Sequence, residues 1–122
     1  MNWITRLFGG KDAEFPDDLN GDVFRRMRDH GDDLSKPREI DFNHVFEKEE
    51  DASRFADAVR QEGFAKVSYK YEEDLKAWDA LVQVFMLPTH VDVTEKEAKL
   101  DAIARKFGGR ADGWGCMQVD KE

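Results

Sequence analysis

Hydrophobic side chains alternate with polar ones in several segments of this chain, a repeat typical of β-strands that bury one face. In the segment 40–46, for example, Ile40, Phe42 and Phe46 fall on one side and Asp41 on the other. The same alternation predicts four strands in all, at 40–46, 65–71, 78–87 and 110–117. Segments 40–46 and 78–87 have the most apolar faces, so we expect them to be the central strands of a sheet.

Three other segments repeat their apolar residues every three or four positions, as the buried face of a helix requires. The first helix is predicted to begin at Asp17 or Asp18 and to end at Gly31. Its apolar face consists of Leu19, Val23 and Met27. The second runs through 52–59 and ends at Gly63, and the third begins with a capping box of Thr94 and Glu97 and ends at Gly108-Gly109.

The order of these elements predicts the fold. A leading helix is followed by strand, helix, strand, strand, helix and strand, which is the split βαβ pattern of ferredoxin-like folds. We therefore expect an α+β fold, a ferredoxin-like βαββαβ arrangement with a four-stranded antiparallel sheet, two helices on one face and an extra N-terminal helix. The length of 122 residues suits one domain at 15–118, with a flexible N-terminal tail at 1–14 and a C-terminal tail at 119–122.

The pleat of the strands assigns a second set of side chains to the sheet face away from the helices. This face is either a solvated surface or a binding surface, and the sequence leaves both open. Its members are Asp41, Asn43, Val45, Lys66, Ser68, Lys70, Asp79, Leu81, Gln83 and Phe85.

Negative charge is concentrated in the first half of the chain. Residues 12–51 carry fourteen acidic and six basic side chains, which accounts for the whole net charge of −8. Such a field repels nucleic acid and attracts a basic protein, although it could also serve solubility alone. Direct RNA binding is disfavoured further because Phe85 is the one clear stacking aromatic on the second face. The candidate partner-binding residues are Asp29, Asp32, Asp33, Asp41, Asn43, Glu47, Glu49, Glu50, Asp51, Asp79 and Gln83.

The residues that could carry catalysis are few and scattered. We expect His44 to be a structural core residue and His30 to be an exposed helix end, while Cys116 packs as a small apolar group. His90 has Asp92 as its one near carboxylate in sequence, and no spacing suits a metal. The sequence therefore predicts a non-enzyme without a cofactor. A small enzyme or ligand-binding domain with a site near His90 or His44 is the alternative.

The cellular setting follows from what the sequence lacks. With a lone cysteine and no apolar run long enough to span a bilayer, it predicts a cytoplasmic protein without stable membrane insertion. The sequence leaves a homodimer open.

Several short motifs resemble one known family. They are the helix-ending Gly63, the segment Pro88, Thr89 and His90, and above all the ending Asp112, Gly113, Trp114 and Gly115. In these the chain resembles the RraB family, regulators of ribonuclease E. The resemblance implies a ferredoxin-like, non-catalytic protein that binds ribonuclease E or another basic protein and lowers or remodels RNA degradation. Trp114 is either an aromatic anchor for that partner or a core plug, and we favour the plug.

Overall fold

The computed structural model describes residues 14–121, so the predictions for the N-terminal tail fall almost wholly outside the described residues. It contains three helices and four strands in the predicted order. They are α1 (Leu19–Asp29), β1 (Arg38–Phe46), α2 (Glu49–Gln61), β2 (Lys66–Glu72), β3 (Ala77–Met86), α3 (His90–Lys106) and β4 (Arg110–Cys116).

The strands form one antiparallel sheet in the order β2-β3-β1-β4. The prediction that segments 40–46 and 78–87 are the central strands is confirmed. They correspond to β1, which lies between β3 and β4, and to β3, which lies between β2 and β1. In the middle of the sheet Phe42 is opposite Val82 on one side and Trp114 on the other. The α+β ferredoxin-like fold with an N-terminal helix is confirmed.

The core lies between the sheet and the helices. Along β1 every second residue is buried, starting at Arg38 and ending at Phe46. Phe42 and Phe46 pack into one cluster with Phe55 of α2 and Leu100 of α3. The opposite face of the sheet, which we call the outer face, is covered by no helix in residues 14–121. The alternation of strand residues between the two faces is therefore as predicted.

The first helix docks beside α3, over the β4 side of the sheet. Phe24 is fully buried, and its ring centroid lies 5.4 Å from that of Trp114. The prediction that Leu19 belongs to the buried face is wrong, since Leu19 is 83% exposed. Gly21 and Phe24 define that face instead, because a side chain at Gly21 would collide with the carbonyl oxygen of Pro16. The predicted cap is confirmed at Asp18, whose side chain accepts a hydrogen bond from the amide of Gly21 at 2.7 Å.

The third helix begins earlier than the sequence predicts. Thr89 is its N-cap, and the Thr89 hydroxyl accepts a hydrogen bond from the amide of Asp92 at 3.1 Å. The predicted capping box of Thr94 and Glu97 is wrong, because both lie inside the helix. Their oxygens accept hydrogen bonds from the amide nitrogen of Asn20, at 3.0 and 3.2 Å, and so tie α3 to α1.

Candidate protein-binding surface

Four of the sequence-predicted residues come together on the outer face. The amide of Asn43 on β1 lies 3.2 Å from a carboxylate oxygen of Asp79 on β3. On the same two strands Gln83 donates a hydrogen bond of 3.0 Å to Asp41. Each carboxylate is therefore oriented by a side-chain amide. Because an amide is neutral, these contacts do not offset the negative charge of Asp41 or Asp79.

Basic side chains of the described residues offset the charge of this group only in part. Within the part of the chain that the structure describes, neither Asp41 nor Asp79 forms an ion pair. The two lysines of the outer face form their ion pairs with other acids, Lys66 with Glu39 and Lys70 with Glu72, each at 3.0 Å. Lys70 is opposite Asp79 in the sheet and attracts it without forming an ion pair. The acids of β1 and β3 are thus left to a partner or to water.

The protonation equilibrium of Asp79 reflects these surroundings. Partial burial raises the pKa of Asp79, and the carboxylates of Glu72 and Asp112 raise it further. The hydrogen bond from Asn43 and the charge of Lys70 act in the opposite direction but do not cancel the effect. A cation placed beside Asp79 would therefore relieve an existing repulsion.

A trough of about 560 Å³ runs along the outer face between β1 and β4. It exists because β4 has little side-chain bulk there: Gly115 is opposite Asp41, and a bulge places Asp112 and Gly113 opposite Asn43. Gly113 takes a φ of +106°, a conformation that suits glycine in such a bulge. Three acids and no basic residue line the trough, whose members are Glu39, Asp41, Asn43, Gln83, Asp112, Gly113, Trp114, Gly115, Cys116 and Met117.

The remaining predicted acids do not join this group. Asp29 and Asp33 lie before β1, and the acids from Glu47 to Asp51 follow it. Since the nine residues of β1 separate the two sets, they stand roughly 25 Å or more apart along the strand. The acidic stretch that is continuous in sequence is therefore divided between two ends of the sheet. The exposed acids at the far end are Glu47, Glu49 and Glu50, with Asp51 half-buried.

Asp32 is not a surface residue. It is 2% exposed and pairs with the buried Arg38 at 2.7 Å. Arg38 also donates to backbone oxygens of Asp33 and Met117, at 2.8 and 3.1 Å, so it fastens the α1–β1 loop and the segment after β4 to the sheet. Sequence reasoning missed Arg38, although the alternation along β1 places it on the same face as Ile40. We leave Asp32 out of the candidate surface.

His44 and Cys116 lie in or against the core. His44 is 1% exposed and its Nδ1 donates to the carbonyl oxygen of Ala80 at 3.3 Å, as expected of a core histidine. Burial lowers the pKa of His44 and raises that of the Cys116 thiol, so each is held in its neutral form. Among residues 14–121 no group of potential ligands could hold a metal ion, and no helix is long and apolar enough to cross a membrane.

His90 has a partner that its sequence neighbours did not indicate. Its Nε2 lies 3.0 Å from both carboxylate oxygens of Asp18, in place of the expected Asp92. The hydrogen bonds from Gly21 and His90 lower the pKa of Asp18. Beside the pair lies a groove of about 620 Å³, lined mainly by Phe15, Pro16, Leu34, Pro88, Thr89 and Val91.

Comparison with protein families decides the identity of this fold. The family described as RraB, regulator of ribonuclease activity B, matches residues 17–116. The chain belongs to the RraB family. Among curated proteins, none matches it in sequence. Membership of the RraB family supports a regulator of ribonuclease activity and fits a protein that is not an enzyme.

The motifs that carry the resemblance to the RraB family have structural roles here. Gly63 ends α2 with a φ of +99°, and Pro88 is buried just before the Thr89 cap. Trp114 is half-buried against the core and donates a hydrogen bond of 3.0 Å to Asn20, which agrees with a core plug. In this RraB protein Gly63, Pro88, Thr89 and Trp114 therefore stabilise the fold, while Asp112, Gly113 and Gly115 line the trough of the outer face.

Proposed function

We propose that this RraB protein regulates ribonuclease E, or a ribonuclease with a similarly basic segment, by binding it rather than by acting on RNA. The observation that supports the proposal is the set of acids on the outer face, Asp41, Asp79 and Asp112, among which neither Asp41 nor Asp79 forms an ion pair in residues 14–121, and the pKa of Asp79 is raised although Lys70 lies opposite it. A cytoplasmic location, as the sequence predicts, would bring the two proteins together.

Charge gives a physical mechanism for the regulation. A basic segment that binds RNA through its phosphates loses that contact when a protein carboxylate surface occupies it. The acidic face competes with RNA for such a segment and in this way lowers or redirects cleavage. Electrostatic attraction of this kind weakens as salt screens it, over a distance of about 8 Å at physiological ionic strength.

The same face argues against direct RNA binding. Phosphates approaching β1 and β3 would meet Asp41 and Asp79, and Phe85, which is 69% exposed, is the one aromatic side chain of the predicted second face. RNA-binding sheets of this topology combine basic side chains with stacking aromatics. A protein partner with positive charge fits the surface better.

The proposal is tested with purified proteins and a defined RNA. Adding the RraB protein should slow cleavage by the ribonuclease, and capture of the ribonuclease should weaken as salt is raised. Neutralising two outer acids with Asp41→Asn and Asp79→Asn should reduce the effect severalfold. The matched control, Glu49→Gln with Glu50→Gln, removes the same charge at the start of α2, beyond the end of β1. This control should change the effect on cleavage little.

Two results would overturn the proposal. One is cleavage that is unchanged at any ratio of the two proteins, and the other is capture that does not respond to salt. If the two double variants reduce the effect on cleavage equally, the attraction would instead come from the acidic segment 12–51 as a whole, as the sequence indicated.

The groove beside His90 supports a second candidate function, the binding of a small apolar ligand. The specific observation is its apolar lining next to the His90–Asp18 pair. His90→Ala should then abolish ligand binding and leave ribonuclease regulation intact. Loss of regulation in His90→Ala, with the fold retained, would count against two separate roles.

A further inference from the structure

The outer face has one region shaped to receive an extended chain. The trough between β1 and β4 is open along its length because Gly113 and Gly115 bring no side chains to it. From Gly113 to Met117 it follows the strand for roughly 13 Å, the length of about four extended residues. Since β4 is an edge strand, nothing on the β4 side of the sheet closes the trough within the described residues.

The negative charge of the trough favours a positively charged ligand. Of its three acids, Glu39 is already paired with Lys66, whereas one carboxylate oxygen of Asp41 accepts only the amide of Gln83. Asp112 has Arg110 at 3.9 Å, a distance at which an exposed pair contributes little. The carboxylates of Asp41 and Asp112 therefore line the trough without a close ion pair, and a positively charged side chain would complement them.

The end of the trough at Glu39 offers apolar contacts. Met117 lines the trough at this end and is 81% exposed. Phe85 lies next to this end on β3, opposite Glu39, and is 69% exposed. Methionine adapts its shape to different partners, and an exposed phenylalanine offers a flat apolar surface. In an extended segment, side chains two residues apart lie on the same side. A segment with an arginine and an apolar residue two positions apart would therefore present the first to the acids and the second to this apolar end.

We propose that the trough binds an extended arginine-containing segment of the partner protein, with an arginine placed over Asp41 and Asp112. The inference deepens the proposed function and rests on it for the source of the segment. Arginine is favoured over lysine because its planar guanidinium can donate two parallel hydrogen bonds to the free edge of a carboxylate. The bulge that places Asp112 beside Asn43 is thus part of the recognition surface.

Substitution of Gly115 tests the shape of the trough without disturbing the fold. A Cβ built at Gly115 meets no atom within 4 Å, and its backbone does not require glycine. Gly115→Gln therefore fills the trough at constant charge. Ser68→Gln is the matched control, because it adds similar bulk to the outer face on β2, away from the trough.

The probe is a short fluorescent peptide that carries arginine and valine two residues apart, with a lysine version and an uncharged citrulline version for comparison. Binding to the full chain is followed by fluorescence anisotropy. We expect Gly115→Gln and Asp41→Asn each to weaken binding about tenfold, as loss of a charged hydrogen bond does. Ser68→Gln should bind like the wild type, and the lysine peptide more weakly than the arginine one.

Several outcomes would overturn the inference. They are wild-type affinity in Gly115→Gln, equal losses in Ser68→Gln and Gly115→Gln, and equal affinity for arginine and citrulline. A dimer that becomes a monomer in Gly115→Gln would show that a second copy of the chain occupies the trough, which also contradicts it.

The ribonuclease assay separates this inference from the proposed function. Full regulation by Gly115→Gln, despite lost peptide binding, refutes the trough as the regulatory contact and leaves the proposed function standing. If the wild type binds the peptide in the trough but does not change ribonuclease activity, the proposed function fails.

Discussion

The indole nitrogen of Trp114 donates a hydrogen bond to the side-chain oxygen of Asn20, 3.0 Å away on the first helix. The amide nitrogen of the same Asn20 bonds to Thr94 and Glu97 of α3. One side chain thus joins α1, α3 and β4. Together with the burial of Phe24, these hydrogen bonds hold the first helix in a position that the sequence left undetermined.

Asn20→Ala should destabilise the protein by about 2 kcal/mol, because it removes three hydrogen bonds and leaves the indole of Trp114 without its partner. The free energy of unfolding in urea measures this loss. Leu19→Ala, one residue away but 83% exposed, is the control and should cost less than about 0.5 kcal/mol. Equal costs for the two variants would show that the hydrogen bonds of Asn20 do not hold α1 in place.

Arg38→Met should cost about 3 kcal/mol or more, since it leaves the buried carboxylate of Asp32 without a counter-charge. Adding Asp32→Leu should recover much of that loss, because the charge is then removed as well. The comparison variant is Arg54→Met, whose 63% exposed side chain is 3.6 Å from Glu50 and should contribute little. A double variant no more stable than Arg38→Met would contradict the account.

The stability of the protein should depend on pH through His44. Burial lowers the pKa of His44 in the folded protein below its ordinary 6.5. The unfolded chain therefore binds a proton first as the pH falls, and the free energy of unfolding decreases below about pH 6.5, by at most about 1.4 kcal/mol per pH unit. Urea unfolding at several pH values between 7.5 and 5.5 measures the slope. His44→Gln should reduce it, and an unchanged slope in that variant would assign it to other groups.

Asp79→Asn should stabilise the protein at pH 7, by about 0.5 kcal/mol or less because the group is partly solvated. The raised pKa of Asp79 means that ionisation costs stability as the pH rises through the folded-state value. Asparagine keeps an oxygen for the amide of Asn43 and removes the charge. Urea unfolding measures the gain in free energy of unfolding, and Glu73→Gln, which removes a charge from the exposed turn between β2 and β3, is the control. A loss of stability would show that the charge of Asp79 is compensated in the folded protein.

Gly109→Ala should destabilise the protein by about 3 kcal/mol. A Cβ at Gly109 would lie 2.3 Å from the buried ring of Phe46, which has no room to move within the core. Gly115→Ala, with open space around its Cβ, should be nearly neutral and serves as the matched control. Thermal unfolding of both variants checks the difference, and similar midpoints would refute the steric explanation.

The sequence predicts the strands well because their repeat is local. Alternation alone assigned Asp41, Asn43, Asp79 and Gln83 to the outer face, and the register between β1 and β3 then brought them into contact. The trough was not predictable in this way. It depends on the bulge at Gly113, and a bulge shifts pairing between strands that are about seventy residues apart in sequence.

Long-range contacts also explain two wrong predictions, the start of α3 and the surface position of Asp32. Thr89 and Thr94 are both acceptable helix caps in isolation, but the helix begins at Thr89, and the hydroxyl of Thr94 accepts a hydrogen bond from Asn20 of α1 instead. Asp32 resembles its acidic neighbours in sequence, but the pairing with Arg38 places it in the interior. Composition assigns charge to a segment, whereas the fold decides which of those charges reach the surface.

Arg38 links the interior to the rim of the trough. Its guanidinium holds the backbone oxygen of Met117, whose side chain stands exposed at that rim. The position of the rim therefore depends on a buried ion pair on the other side of the sheet. A substitution in the interior at Asp32 could change which partners this protein accepts while every surface side chain stays the same, so variation in specificity need not be sought on the surface alone.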